Sequence, residues 1–143
     1  MNTDSKHSFP DRVLYSMIRV ADLDRSIVFY QDILGMSELR RETFPDGRFT
    51  LVFMGYGDEA SGATIELTWN WDDGGYTHGS GFGHIALGVT NIAAVCARVT
   101  ESGGKILRAA GPMTVVPVET GVREVIAFIE DPDGYRIELI EYA

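Results

Sequence analysis

The chain has 143 residues, of which 45% are hydrophobic and 23% are charged, a composition typical of a single globular domain with a sizeable core. Lysine and arginine number 12 against 21 aspartate and glutamate residues, so the formal net charge is −9. This acidic balance argues against nucleic acid or an anionic membrane surface as a partner.

The N-terminal residues and the single cysteine give expectations about the cellular compartment. Residues 1–11 are polar and lack the apolar core of a secretory signal, so we expect a disordered N-terminal arm before one domain over 12–143. No run of about 18 apolar residues predicts a membrane span. Cys96 has no partner for an internal disulfide, and a reducing cytoplasm is the expected compartment.

The first half of the domain predicts one strand, one helix and three more strands, separated by turns that contain glycine or proline. In chain order these elements fall at roughly 13–20, 24–34, 36–43, 49–55 and 63–70. In the last strand polar and apolar residues alternate, and one face carries Glu66 and Asn70. Such a strand is typical of a wet cleft above a core, or of an ordinary exposed sheet face.

The second half repeats this order after a Gly-rich connector at 72–81. Its elements fall at roughly 83–89, 91–102, 105–109, 123–130 and 135–141. Tyr15-Ser-Met-Ile-Arg-Val lies over His84-Ile-Ala-Leu-Gly-Val, and Ile65-Glu-Leu lies over Ile137-Glu-Leu. The repeat predicts an α+β fold of two βαβββ modules, at 12–71 and 82–143, that together form a mixed, curved sheet of eight strands.

One segment, 111–122, does not fit the repeat. It contains two prolines, two glycines and several valines. This composition indicates either a loop that packs on something, such as a lid over a site, or a fifth short strand.

The repeat places four side chains at equivalent positions of a cleft between the modules. Tyr15 corresponds to His84, and Glu66 corresponds to Glu138. Alone, each of these residues is more often structural or exposed than a ligand. Together, two carboxylates and an imidazole form a nitrogen and oxygen donor set suited to Ni²⁺, Co²⁺, Fe²⁺, Mn²⁺ or Zn²⁺. The sequence therefore predicts a divalent metal site.

Several runs that cover nearly all of 13–141 resemble one known family. They include Met17-Ile-Arg-Val-Ala-Asp-Leu, Leu34-Gly-Met, Glu66-Leu-Thr-Trp-Asn-Trp, Gly81-Phe-Gly-His and Asp131-Pro-Asp-Gly-Tyr-Arg-Ile-Glu. The chain resembles glyoxalase I, or lactoylglutathione lyase, of the vicinal-oxygen-chelate superfamily, and especially its small bacterial members. The resemblance implies conversion of the hemithioacetal of methylglyoxal and glutathione to S-lactoylglutathione.

The resemblance also implies a cofactor and its ligands. The ion would be Ni²⁺ or Co²⁺, with Zn²⁺ as the alternative, and Glu66, His84 and Glu138 match three of its four ligands. Glu138 also matches the catalytic base, and Glu66 is the second carboxylate of the catalytic centre. The family pattern further implies a homodimer with shared active sites, in which Tyr15 and Glu66 of one chain meet His84 and Glu138 of the other.

The resemblance assigns substrate-binding positions as well. Arg19 and Asn70 match residues that hold the γ-glutamyl end of glutathione. Segment 111–122 is longer than in close bacterial relatives and lies where some members carry a basic residue for the glycyl carboxylate. Arg123 is the candidate for that role in this chain.

Tyr15 departs from the family pattern, which has His or Gln at the first ligand position. Three outcomes are open: a phenolate ligand, a three-residue site with an additional water, or a weak site in which Tyr15 hydrogen-bonds to substrate or to a water on the metal. The second and third are favoured, since a third anion beside two carboxylates would leave the site negative. The alternatives to glyoxalase I activity are an isomerase or epimerase acting on another thiol conjugate or 2-oxo compound, and a metal-impaired binding protein of the same fold.

Overall fold

The structure, a computed structural model, describes residues 8–142 and contains the repeated element order predicted from the sequence. The first half consists of β1 (Tyr15–Arg19), α1 (Leu23–Val28), β2 (Ser37–Phe44), β3 (Phe49–Gly55) and β4 (Thr64–Asn70). The second half consists of β5 (Ile85–Val89), α2 (Ile92–Glu101), β6 (Lys105–Pro112), β7 (Val125–Glu130) and β8 (Arg136–Glu141). The prediction of an α+β fold with paired βαβββ order is confirmed.

Each half forms its own four-stranded mixed sheet. The strand orders are β1-β4-β3-β2 and β5-β8-β7-β6. In each sheet the first and last strands of the half pair in parallel, and the remaining neighbours are antiparallel. The eight predicted strands are thus divided between two sheets that are not hydrogen-bonded to each other within residues 8–142.

The predicted helix over 24–34 is present in two parts. α1 begins after Asp22, whose side chain accepts a hydrogen bond from the amide of Arg25. From Phe29 to Ile33 the backbone continues as a π-helical turn. The helical segment ends before Gly35, whose φ of 75° is in the left-handed region that favours glycine.

The two halves pack back to back on one hydrophobic core that draws residues from both sheets and both helices. Polar contacts cross this junction. Tyr30 Oη donates to Asp131 Oδ2 at 2.7 Å, and Tyr135 Oη donates to the carbonyl of Arg19 at 2.8 Å. The opposite face of each sheet, here called its open face, points away from this core, and on the first sheet it carries Tyr15 and Met17, which are 40% and 41% exposed.

The irregular segment is a loop. Gly111 and Pro112 extend β6, and residues 113–124 connect it to β7. No strand occurs at 113–122 in the described chain, so the alternative of a fifth short strand is wrong. Its prolines and the left-handed Gly121 do not suit a strand. Val118 is 96% exposed, and a lid role for this loop stays a prediction.

Candidate metal and substrate site

The open faces of the two sheets carry the side chains predicted to form the site. In the first sheet Tyr15 lies beside Thr64 in the register of β1 and β4, and Phe53 of β3 lies opposite Glu66. Paired residues of neighbouring strands project from the same face of a sheet. In the second sheet Phe128 lies opposite Glu138 in the same way.

His84 and Glu138 form one half of the predicted metal site. His84 directly precedes β5, and its Nε2 lies 3.2 Å from Oε1 of Glu138 on β8. Two ligands bound to one ion at about 2.1 Å, at angles between a right angle and tetrahedral, lie roughly 3.0–3.4 Å apart. The observed separation fits two donors that share a divalent ion, and it equally fits a direct contact between the two side chains.

Glu66 and its neighbours form the other half. The Glu66 side chain is buried, and its Oε2 accepts a hydrogen bond from Thr68 Oγ1 at 2.8 Å. Within residues 8–142, Thr64 Oγ1 is buried and has no hydrogen-bond partner. A buried hydroxyl without a partner is uncommon in proteins.

Tyr15 and His84, the equivalent residues of the two halves, have similar aromatic contacts. The ring of Tyr15 packs edge-on against Phe53, with centroids 5.1 Å apart and planes at 76°. The ring of His84 packs edge-on against Phe128, with centroids 5.2 Å apart and planes at 79°. Sequence reasoning did not select these phenylalanines, although each lies opposite a predicted ligand on the next strand. The alternation within each strand, combined with the repeat, could have placed both phenylalanines on the same faces as the predicted ligands.

A single chain does not bring the predicted ligands together. Within the described residues no group of three or more His, Cys, Asp or Glu side chains lies close enough to hold a metal ion. His84 and Glu138 are in contact on the second sheet, whereas Tyr15 and Glu66 lie on the first. The predicted four-residue cleft is therefore present as two separate halves.

Arg19 and Asn70 lie at the ends of paired strands beside the connector. The guanidinium of Arg19 makes no hydrogen bond or ion pair within residues 8–142, and Asn70 Nδ2 donates to Tyr76 Oη at 3.1 Å. A cavity of about 170 Å³ is lined by residues that include Arg19, Tyr76 and His78. His78 is half-buried and stacks on Tyr135, with ring centroids 4.0 Å apart. The connector thus folds back against the junction of the halves.

Arg123 is exposed in the loop before β7. Its guanidinium makes no hydrogen bond or ion pair to other residues of the described chain, so the structure does not join it to either half of the site.

The profile of the Glyoxalase/Bleomycin resistance protein/Dioxygenase superfamily matches residues 12–139. The chain belongs to this superfamily. A probable lactoylglutathione lyase of Synechocystis sp. is 54% identical over 129 residues, which cover 90% of this chain and 94% of that protein. A lactoylglutathione lyase of Haemophilus influenzae is 53% identical over 130 residues, which cover 91% and 92%.

Solved structures of glyoxalase I share the fold of this superfamily member. Glyoxalase I from Zea mays superposes with a TM-score of 0.84 at 40% identity, over 92% of this chain and 45% of that chain. The chain therefore spans about half the length of the maize protein. The trypanothione-dependent glyoxalase I of Leishmania major superposes with a TM-score of 0.77 at 42% identity, over 92% and 87%. The resemblance to glyoxalase I stated from the sequence is confirmed.

Proposed function

We propose that this protein is a metal-dependent lactoylglutathione lyase of the glyoxalase I type. It converts the hemithioacetal of methylglyoxal and glutathione to S-lactoylglutathione. The observation that carries the proposal is the contact of His84 Nε2 with Glu138 Oε1 at 3.2 Å. It occurs at the position that the internal repeat predicts, in a chain about half identical to lactoylglutathione lyases.

Three side chains suit a divalent ion. Glu66, His84 and Glu138 would hold it, and their oxygen and nitrogen donors suit Ni²⁺ or Co²⁺, with Zn²⁺ as the alternative. The ion, when bound, would stabilise the negative charge that develops on the substrate oxygens.

Glu138 would move the proton. Its carboxylate is 15% exposed on the open sheet face, so a substrate can reach it. It would remove the proton from C1 of the hemithioacetal and return it to C2, while the hydroxyl proton on the C1 oxygen passes to the C2 oxygen, so that C1 becomes the thioester carbonyl and C2 carries the hydroxyl. Glu66 is more deeply buried and is held by Thr68, which suits a carboxylate that stays in place during the reaction.

The substrate would be oriented by residues at the strand ends. Arg19, whose guanidinium makes no hydrogen bond or ion pair within residues 8–142, presents a fork of donors that suits the carboxylate of the γ-glutamyl group, and Asn70 ends the strand paired with that of Arg19. Arg123 is the candidate for the glycyl carboxylate at the other end.

A homodimer would complete the site. Each chain presents one half built on Glu66 and another built on His84 and Glu138, on separate sheets. A two-fold dimer brings the first half of one chain against the second half of its partner, twice. The proposed location is the cytoplasm. No helix in residues 8–142 has the length and apolar character to cross a bilayer.

The test is enzymatic. Purified protein is stripped of metal and assayed for S-lactoylglutathione formation after addition of Ni²⁺, Co²⁺ or Zn²⁺. Activity is expected to return with at least one ion, and Glu138→Gln is expected to lower kcat by about 10²-fold or more. Glu101→Gln, an exposed change on α2, serves as the matched control. Absence of product with every ion would contradict the proposal and favour another thiol conjugate or a binding role.

A further inference from the structure

The two equivalent glutamates of the repeat have different neighbours along their strands. Thr68 follows Glu66 by two residues on β4, and Ile140 occupies the same position after Glu138 on β8. Side chains two residues apart on a strand project from the same face, so each neighbour shares the open face with its glutamate. The buried Thr68 hydroxyl donates to Glu66 Oε2 at 2.8 Å, whereas an isoleucine side chain has no donor. Only Glu66 is held by a neighbour on its own strand.

The neighbours on the adjoining strand differ in the same sense. Met17 of β1 lies opposite Glu66, and Ala86 of β5 lies opposite Glu138. Paired residues project from the same face of a sheet, so a long side chain stands beside one carboxylate and a single methyl group beside the other. Glu66 is buried and Glu138 is partly exposed. Glu138 is therefore the less confined of the two.

The contact of Glu138 with His84 does not take the place of such a threonine. It is the one polar side-chain contact of Glu138 within residues 8–142, and it is made by His84 Nε2. An Nε2 that binds an ion carries no proton, so it cannot also donate a hydrogen bond to the carboxylate. With an ion present, Thr68 can still hold Glu66, but no described residue of its own chain holds Glu138.

We propose that Thr68 is a positioning residue and that the difference between Thr68 and Ile140 assigns the two glutamates their roles. Thr68 holds one oxygen of Glu66, so that the carboxylate presents the other to the ion and stays in place during turnover. Ile140 leaves Glu138 without a hydrogen bond, so that this carboxylate can turn to the substrate and move the proton. The inference rests on the proposed function, since it takes both glutamates to serve one ion.

Metal affinity tests the role of Thr68. Metal-free wild type and variants are titrated with Co²⁺ in competition with a chelator. Thr68→Val keeps the shape of the side chain and removes the hydroxyl, and it is expected to weaken Co²⁺ binding by about 10- to 100-fold. Thr68→Ser is expected to recover most of the affinity, because it restores the donor.

Thr64→Val is the matched control. Thr64 precedes Glu66 by two residues on the same strand and is also buried, but its Oγ1 has no hydrogen-bond partner within residues 8–142. The same change at this position is expected to leave Co²⁺ affinity at the wild-type value. Equal losses in Thr64→Val and Thr68→Val would indicate an effect of packing and would overturn the proposal.

Turnover tests the role of Ile140. Ile140→Thr introduces a hydroxyl at the position that Thr68 has beside Glu66, and Ile140→Val, which has the same shape without the hydroxyl, is its control. In the metal-loaded enzyme Ile140→Thr is expected to have a kcat about tenfold below that of Ile140→Val, because a hydrogen bond to the base must break before it takes the proton. KM is expected to be equal in the two variants, and Co²⁺ binding is expected to be no weaker in Ile140→Thr.

Three further results would overturn the proposal: wild-type Co²⁺ affinity in Thr68→Val, no recovery in Thr68→Ser, or equal kcat in Ile140→Thr and Ile140→Val. Failure of the proposed function looks different. In that case the loaded wild type forms no S-lactoylglutathione, while the order of the Co²⁺ affinities still shows whether Thr68 positions Glu66.

Discussion

Asp131 is a buried residue that links the two halves through hydrogen bonds. Its Oδ2 accepts the Tyr30 hydroxyl at 2.7 Å, and its Oδ1 accepts the amides of Asp133 and Tyr135 at 2.9 Å each. Burial raises the pKa of the Asp131 carboxyl, although these hydrogen bonds act in the opposite direction. Burial, followed by the charge of Asp131, also raises the pKa of Tyr30. This cluster therefore couples folding to protonation.

Removal of the Tyr30 hydroxyl is expected to destabilise the fold. Tyr30→Phe leaves a buried carboxylate oxygen without its donor, at a cost of about 1–3 kcal/mol in the free energy of unfolding. Urea denaturation gives the value. Tyr142→Phe, an exposed tyrosine change, is expected to stay within about 0.5 kcal/mol of wild type. Equal stability of the two variants would show that the Tyr30 contact contributes nothing.

Asp131→Asn is expected to change the pH dependence of stability. Because the folded-state pKa is above the unfolded value of about 4, the proton on Asp131 favours folding at low pH, and this contribution is lost as pH rises through the folded-state pKa. Asparagine does not titrate. The free energy of unfolding of Asp131→Asn minus that of wild type should therefore increase above about pH 4. Urea titrations between pH 4 and 7 measure it, and Asp73→Asn, which is exposed, should give a flat difference.

Among the elements, β6 shows how equivalent positions of the repeat acquire different roles. Arg108 of β6 lies opposite Phe128, as Arg40 of β2 lies opposite Phe53. Arg40 covers its phenylalanine, whereas the guanidinium of Arg108 donates to several backbone carbonyls near the irregular end of β6. Arg108 therefore fixes the base of the 113–124 loop.

Arg108→Lys is expected to loosen this end of the β6 and β7 hairpin. An ammonium group cannot reproduce the fork that reaches the carbonyls of Gly111, Pro112 and Ile126, and the loss is about 1.5–3 kcal/mol. Hydrogen exchange should speed up at the backbone amides of residues 109–111 and 113. Arg98→Lys, which loses one exposed bond to the Ile33 carbonyl, is the control. Unchanged protection at 109–111 and 113 would rule out the anchoring role.

The elements also show where sequence reasoning succeeded. Alternation in β1 and β4 predicted the open face that carries Arg19 and Glu66, because a strand places every second residue on one side. It did not reveal the π-helical turn after α1 or the position of His78. These depend on contacts with distant residues, such as Tyr135 under the connector.

At the scale of the whole molecule, the proposed homodimer with shared sites predicts complementation between chains. Glu66→Gln and Glu138→Gln should each be inactive as homodimers. In a dimer that contains one chain of each kind, one site combines two wild-type carboxylates and the other combines two glutamines. Mixing equal amounts after reversible dissociation should therefore restore about a quarter of wild-type activity.

The mixing experiment distinguishes sites shared between chains from sites formed within one chain. If each site forms within one chain, every site in the mixture carries one substitution, and no activity returns. As the control, Glu101→Gln is mixed with Glu138→Gln. Only sites with an intact Glu138 are active in this mixture, so about half of wild-type activity is expected.

The sequence alone determined the α+β class, the repeat and the positions of the candidate ligands, because strand alternation and turn residues are local properties of the chain. Tertiary structure decided which of these ligands meet. It placed His84 against Glu138, held Tyr15 on Phe53 and left the Glu66 half on another sheet. The physical reason is that contacts between residues distant in the chain follow from how the two sheets pack on their common core, which no local pattern records.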